Sequence, residues 1–167
     1  DTAFTSWAQQ TATDPDLAAL GLVRLAEAVL RMPSAHVSGA AALATVLSTD
    51  TPRRRRLLLT LGGSRALVDH FAAHPEHWVA ATDAQPPTGP GLRAALTTAV
   101  TPDARGAATA YDALRVAYRR ELVGIAALDL SAPDPVTHLP AAAEALAQLA
   151  EAALEAALVI AREEFGP

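Results

Sequence analysis

The sequence predicts an all-α fold, a multi-helix bundle of about seven helices, and three observations carry that prediction. Apolar residues recur at steps of three and four along most of the chain, and few segments alternate with a period of two. The chain is 51% apolar with only 4% aromatic residues. Much of the apolar fraction is alanine, whose small side chain lets helices approach closely. Cap-then-proline pairs punctuate the chain at Asp14-Pro15, Thr51-Pro52 and Thr101-Pro102, the pattern of helix starts.

Taken in order, Phe4 to Gln10 reads as a short helix or an arm docked by Phe4 and Trp7. Asp14-Pro15 opens a helix running to about Arg31, with Leu17, Leu20, Leu25, Ala28 and Val29 inward and Pro33 as its stop. Ser38 caps a shorter helix to about Leu47. Thr51-Pro52 starts the next, RRRRLLLTL, which ends at the Gly62-Gly63 stop signal. Ser64 caps a helix with Leu67, Val68 and Phe71 apolar, and Pro75 closes it and opens a short helical turn carrying Trp78. AQPPTGPG, residues 84–91, is a loop. Leu92 to Val100 is a further helix, Thr101-Pro102 starts the long one ending at Leu130, and Gly106 is its weak point. After the connection SAPDPVTHLP, the last helix spans Pro140 to about Glu164.

The long helix organises the rest. Leu114, Tyr118, Leu122 and Ile125 share one face. From Leu122 the run LVGIAAL is apolar on all sides, as in a helix entering the centre of a bundle. Asp129 interrupts it in the last turn, where the helix dipole disfavours an anion. The expectation is a buried carboxylate paired with an arginine of another helix.

Composition narrows the function classes. At 167 residues the chain suits a single helical domain, 1–167. A formal charge of −5 argues against nucleic acid as a partner. There is no cysteine, hence no disulfide frame and no thiolate metal site. No run of about 18 uncharged apolar residues suggests a membrane span. No basic-then-apolar leader is visible, so a cytoplasmic location is expected.

Three groups invite a chemical reading. His70, His74 and His77 have zinc-like spacing, but Pro75 disfavours helical geometry at His74, and surface histidines are the expected outcome. Arg53 to Arg56 could touch phosphate or RNA, yet four consecutive residues point around a helix and form no stripe. They also sit at a helix start, where the dipole disfavours cations; the expectation is that some are exposed and one or two pair with acids. Gly62-Gly63-Ser64 lacks the lysine of a phosphate loop and is accounted for as a helix stop and a cap. No serine–histidine–aspartate set or carboxylate pair assembles, so no catalytic, cofactor-binding or metal residue is assigned.

Three stretches together resemble one family: LLLTLGGSRALVDHFAAHPEHW (57–78), DALRVAYRRELVGIAALDL (112–130) and LAQLAEAALEAALVIAREEFG (146–166). The features are the leucine-rich helix, the Gly-x-Ser turn, Leu67, Asp69 and His74-Pro75, then Leu114-Arg115, Arg119-Arg120-Glu121-Leu122, Ile125-Ala126 and Asp129-Leu130. They are similar to the helical region of bacterial bifunctional glutamine synthetase adenylyltransferase/adenylyl-removing enzymes. Where Gly124 and Leu128 stand, the family often has arginine. The resemblance implies two nucleotidyltransferase halves in the full enzyme, each with a helical segment before its core, and places this chain before the first. It implies adenylylation and phosphorolytic deadenylylation of a synthetase tyrosine, with Mg and nucleotide (ATP or ADP) held by the core. Glutamine synthetase and the PII signalling protein are the implied partners. The superfamily's Gly-Ser followed by Asp-x-Asp is not found here. Gly63-Ser64 is followed by a lone Asp69, and Asp14-Pro15-Asp16 lies upstream and opens a helix.

The expectation is therefore a fragment of a larger enzyme, with the catalytic core absent and no cofactor of its own. It would be non-catalytic, scaffolding the first core or binding protein partners, and would leave an exposed apolar strip on the last helix. Two alternatives stand beside it. One is an independent helical protein-interaction module. The other is a small enzyme using the histidines and a metal.

Overall fold

The computed structural model describes residues 12–32, 37–49, 51–101 and 107–166. The expected arm at Phe4–Gln10, the stop at Pro33, and the start at Pro102 with Gly106 lie outside the described residues. Eight α-helices and no strand are found among those described: α1 (Pro15–Arg31), α2 (Val37–Thr49), α3 (Thr51–Gly63), α4 (Arg65–Ala73), α5 (Trp78–Thr82), α6 (Gly89–Val100), α7 (Ala107–Ser131) and α8 (Pro135–Phe165). A 3-10 turn, Pro75–His77, joins α4 to α5. The all-α expectation holds, and the short helical turn expected to carry Trp78 is present as the 3-10 turn and α5.

Helix starts follow the cap chemistry. Asp14 accepts from the Leu17 amide at 2.9 Å, and Thr88 accepts from Gly91 at 3.2 Å. Each offsets an orphan amide of a first turn. Thr88 moves the start of α6 three residues ahead of the expected Leu92. The last helix also starts early, at Pro135 rather than Pro140. Asp134 accepts from the Val136 and Thr137 amides and from the Thr137 hydroxyl at 2.5 Å. Those hydrogen bonds hold its carboxyl below the usual carboxylate range. With Pro135 preset for the first turn, the helix runs on through Pro140, giving up the one bond Pro140 cannot donate.

Three start and stop readings change, although α3 does end at Gly63. Ser64 stands at the N-cap of α4, but its side chain makes no capping bond; only its carbonyl accepts, from Leu67 and Val68. The glycines before it do not end α3 by a left-handed turn, since Gly166 is the only described residue with positive φ. Gly62 is there for proximity. A Cβ on it would lie 2.8 Å from Ala12 Cβ and 2.9 Å from the Asp14 carbonyl oxygen. α2 begins at Val37, one residue before the cap expected at Ser38, whose side chain lies outside the described residues.

Two apolar clusters make the core. The first joins α1 to α5, with Leu25, Leu57, Leu61 and Phe71 wholly enclosed. The second joins α6, α7 and α8 around Leu96, Leu149 and Ile160. α7 belongs to both: Val123 and Ala127 enter the first, Leu114 and Ile125 the second. This is why LVGIAAL is apolar on every side.

Candidate functional site

The four consecutive arginines at the start of α3 fan outward, and three of them reach backbone carbonyls at helix ends. Arg54 donates to the Leu47 carbonyl in the last turn of α2 at 3.0 Å. Arg55 donates to the carbonyl of Ser131, the last residue of α7, at 3.2 Å. Arg56 donates to the carbonyls of Thr82 and Ala84 at the end of α5, at 3.2 and 3.3 Å. Arg53 pairs with Asp83 at 2.9 Å, just past the same helix. A helix C-terminus has orphan carbonyls and a partial negative charge, so cations are favourable there. The basic run thus clamps three helices onto α3.

Asp129 does not meet its expectation. It is half-buried and makes no ion pair among the described residues. The arginine that reaches this helix end, Arg55, binds the backbone of Ser131 instead. Asp129 lines a groove of about 710 Å³ between the α3–α4 junction and α7. Leu67, Leu114, Tyr118 and Leu122 line its apolar part, and Ser64, Arg115, Arg119 and Asp129 contribute polar groups. Asp69 lies elsewhere, in an exposed 2.6 Å ion pair with Arg24 that ties α4 to α1. Asp14 caps α1, and Asp16 lies in its first turn.

The histidines differ most from the sequence reading. They were expected at the surface, yet His70 is buried at 5% exposure. His70 Nε2 and His77 Nδ1 are 3.0 Å apart, one nitrogen donating and the other accepting. His74 stacks on His77 with centroids 5.4 Å apart. The bend expected at Pro75 occurs, since His74 leaves helical geometry at φ −132°. That bend folds the 3-10 turn back so that His77 meets His70. Burial, then the neighbouring His77 and His74, push the His70 pKa down to about 4. Burial also lowers that of His77, with Glu76 opposing. Glu76 lies 3.8 Å from His74 and 3.6 Å from His77. No group of three or more His, Asp or Glu among the described residues is arranged to hold a metal ion.

The expected exposed strip on the last helix is present. Leu139 is 63% exposed, Leu154 72% and Phe165 80%, with Leu146 and Leu158 near one half. The helix therefore has an inward apolar face through Ala145, Leu149, Ala152, Ala156 and Ile160 and a second apolar face outward. No helix among the described residues is long and apolar enough to cross a membrane.

Fold and sites together define a helical module in which Arg24, Arg53 to Arg56 and Arg93, with Asp14, Asp69, Asp83 and Asp134, hold helices in place. Comparison with known proteins finds relatives of that module within longer proteins. The chain is homologous to part of the bacterial bifunctional glutamine synthetase adenylyltransferase/adenylyl-removing enzyme. It is 45% identical to that protein of Streptomyces avermitilis over 151 residues, 89% of this chain and 14% of the relative. Against the Mycobacterium avium protein it is 41% identical over 159 residues, 93% of this chain and 15% of the relative. The Bifidobacterium longum subsp. infantis protein is 38% identical over 128 residues, 69% of this chain and 12% of the relative. The chain thus spans about one seventh of the length of the first two. No family model matches the chain, and no solved structure does.

Proposed function

We propose that this chain is the non-catalytic helical N-terminal region of a bacterial glutamine synthetase adenylyltransferase/adenylyl-removing enzyme, a single domain that scaffolds the first nucleotidyltransferase core in the cytoplasm. The observation that carries this is the match itself, spanning nearly all of this chain and about 15% of its relatives. The use of polar groups supports it. Nucleotidyl transfer needs carboxylates that fix a divalent metal against phosphate and donors that hold the nucleotide in line. Here Asp14 and Asp134 cap helices, and Asp69 and Asp83 pair with arginines across elements.

In the whole enzyme, Mg and the nucleotide belong to the core. Deadenylylation there is phosphorolysis: phosphate attacks the adenylyl phosphorus, the bond to the tyrosine oxygen breaks, and ADP leaves as the tyrosine regains its proton. The helical region contributes position only, for the core and for its partners, glutamine synthetase and the PII protein. Two measurements test this. Purified chain incubated with adenylylated synthetase, phosphate and magnesium is expected to release no ADP above a no-protein control; release abolished by changing Asp69 or Asp129 overturns the reading. A full-length enzyme that keeps both activities after deletion of residues 15–166 overturns the scaffold role.

A further inference from the structure

The outward face of α8 is too long and too regular to be scattered surface leucine. Leu139, Leu146, Leu154, Leu158 and Phe165 follow one another at steps of seven, eight, four and seven. Ala143 and Ala150, both exposed, fill the intervening turns. At 3.6 residues per turn all of these share one face. They extend along most of a 31-residue helix, about 46 Å at 1.5 Å per residue. Large contiguous apolar patches on a surface mark interaction sites, and this pattern fits a second helix lying alongside.

Charge identifies the kind of helix. α8 carries five glutamates and one arginine. Glu144 and Glu151 fall along one border of the strip by the same helical spacing, and neither makes an ion pair among the described residues. Glu155, one turn on, is already held by Arg93 of α6. A second copy packed antiparallel would set one acidic border against another, with like charges close across the contact, and one packed parallel would leave each acidic border without a cation to answer it. A helix with an apolar stripe and flanking lysine or arginine matches both the leucines and the glutamates.

Resting on the scaffold reading, we infer that the outer face of α8 is the docking surface for an amphipathic, basic-flanked helix from the remainder of the same full-length polypeptide. The relatives carry some 85% of their length outside the matched region, ample chain to supply it. The leucines provide the apolar contact and the Glu144–Glu151 border fixes the register.

The test uses cysteine labelling in full-length enzyme. This segment has no cysteine, so Leu154→Cys places a single thiol on the strip and Ala41→Cys a control on exposed α2, each in a background with other cysteines replaced. With rates normalised to those of the unfolded protein, Cys at 154 is expected to react with maleimide at least tenfold more slowly than Cys at 41. Adding Glu144→Lys and Glu151→Lys is expected to raise its rate several-fold. Equal rates at 154 and 41 overturn the docking surface, and a rate indifferent to charge reversal overturns the basic partner. Protection that appears only at high protein concentration assigns the face to a second copy, and protection that requires added synthetase assigns it to that protein; both overturn the inference. Protection at 154 with unchanged activities in Leu154→Glu upholds the docking surface while removing the scaffold role, so the two readings fail separately.

Discussion

His70 is the residue whose surroundings matter most to solution behaviour. Its proton binds near pH 6.5 in the unfolded chain and near 4 in the fold. Between those values the unfolded state holds more protons, so stability rises with pH. The contribution of neutral His70 is complete above about pH 6.5 and is lost as pH falls toward 4. A depression of this size is worth roughly 2–3 kcal/mol. Urea melts at pH 7.5 and pH 4 should show that loss, and His70→Gln should flatten it; an unchanged pH slope in the variant would remove His70 as the cause. Asp129 points the other way. A buried ion pair there would cost on the order of 3–5 kcal/mol to break. Half-buried beside a groove, the carboxylate instead resembles an ordinary surface group in an adverse dipole. Asp129→Ala is expected to change stability by less than about 1 kcal/mol, read from the urea midpoint.

At the scale of the element, two glycines separate close approach from simple helix interior. Gly62 faces the Asp14 carbonyl oxygen, which would lie 2.9 Å from an added Cβ. That oxygen also accepts from the Ala18 amide at 3.0 Å, so it cannot shift without disturbing the start of α1. Gly62→Ala should destabilise by about 1–3 kcal/mol. Gly124 lies within α7, and a Cβ there would meet only the Ala80 carbonyl at 3.6 Å, an ordinary contact. Gly124→Ala should stabilise by about 0.5–1 kcal/mol through helix propensity. Thermal melts of both variants check the opposite signs. Leu128 packs against the first core cluster, so leucine there extends apolar packing.

For the whole molecule, α7 is the common wall of two apolar clusters. Disrupting either removes packing from the same helix, so the two should unfold together. Trp78 reports the first cluster, where it is 5% exposed. Tyr111 and Tyr118 pack against the second. In a Trp7→Phe background, tryptophan fluorescence, tyrosine absorbance and far-ultraviolet circular dichroism should give one urea midpoint. Two midpoints would mean that α7 does not couple the clusters.

Local chemistry determined a large share of this protein. The 3.6-residue period, the Asp14-Pro15 start and the all-round apolar run LVGIAAL made the helices legible, because burial on a helix repeats with its turn and caps act within a few residues. The order of three motifs made the relatives legible. The tertiary structure decided what side chains do across long sequence separations. The four arginines looked like a charge run at the wrong end of a helix; they sit beside the C-termini of α2, α5 and α7, which only packing brings there. The histidines looked exposed because the bend expected at Pro75 was taken to separate them, whereas that bend at His74 folds His77 back onto His70. Asp129 looked buried because its neighbours are apolar, but α7 ends beside a groove. In each case the surroundings come from another element, and the distance between elements is set by packing that no periodicity encodes.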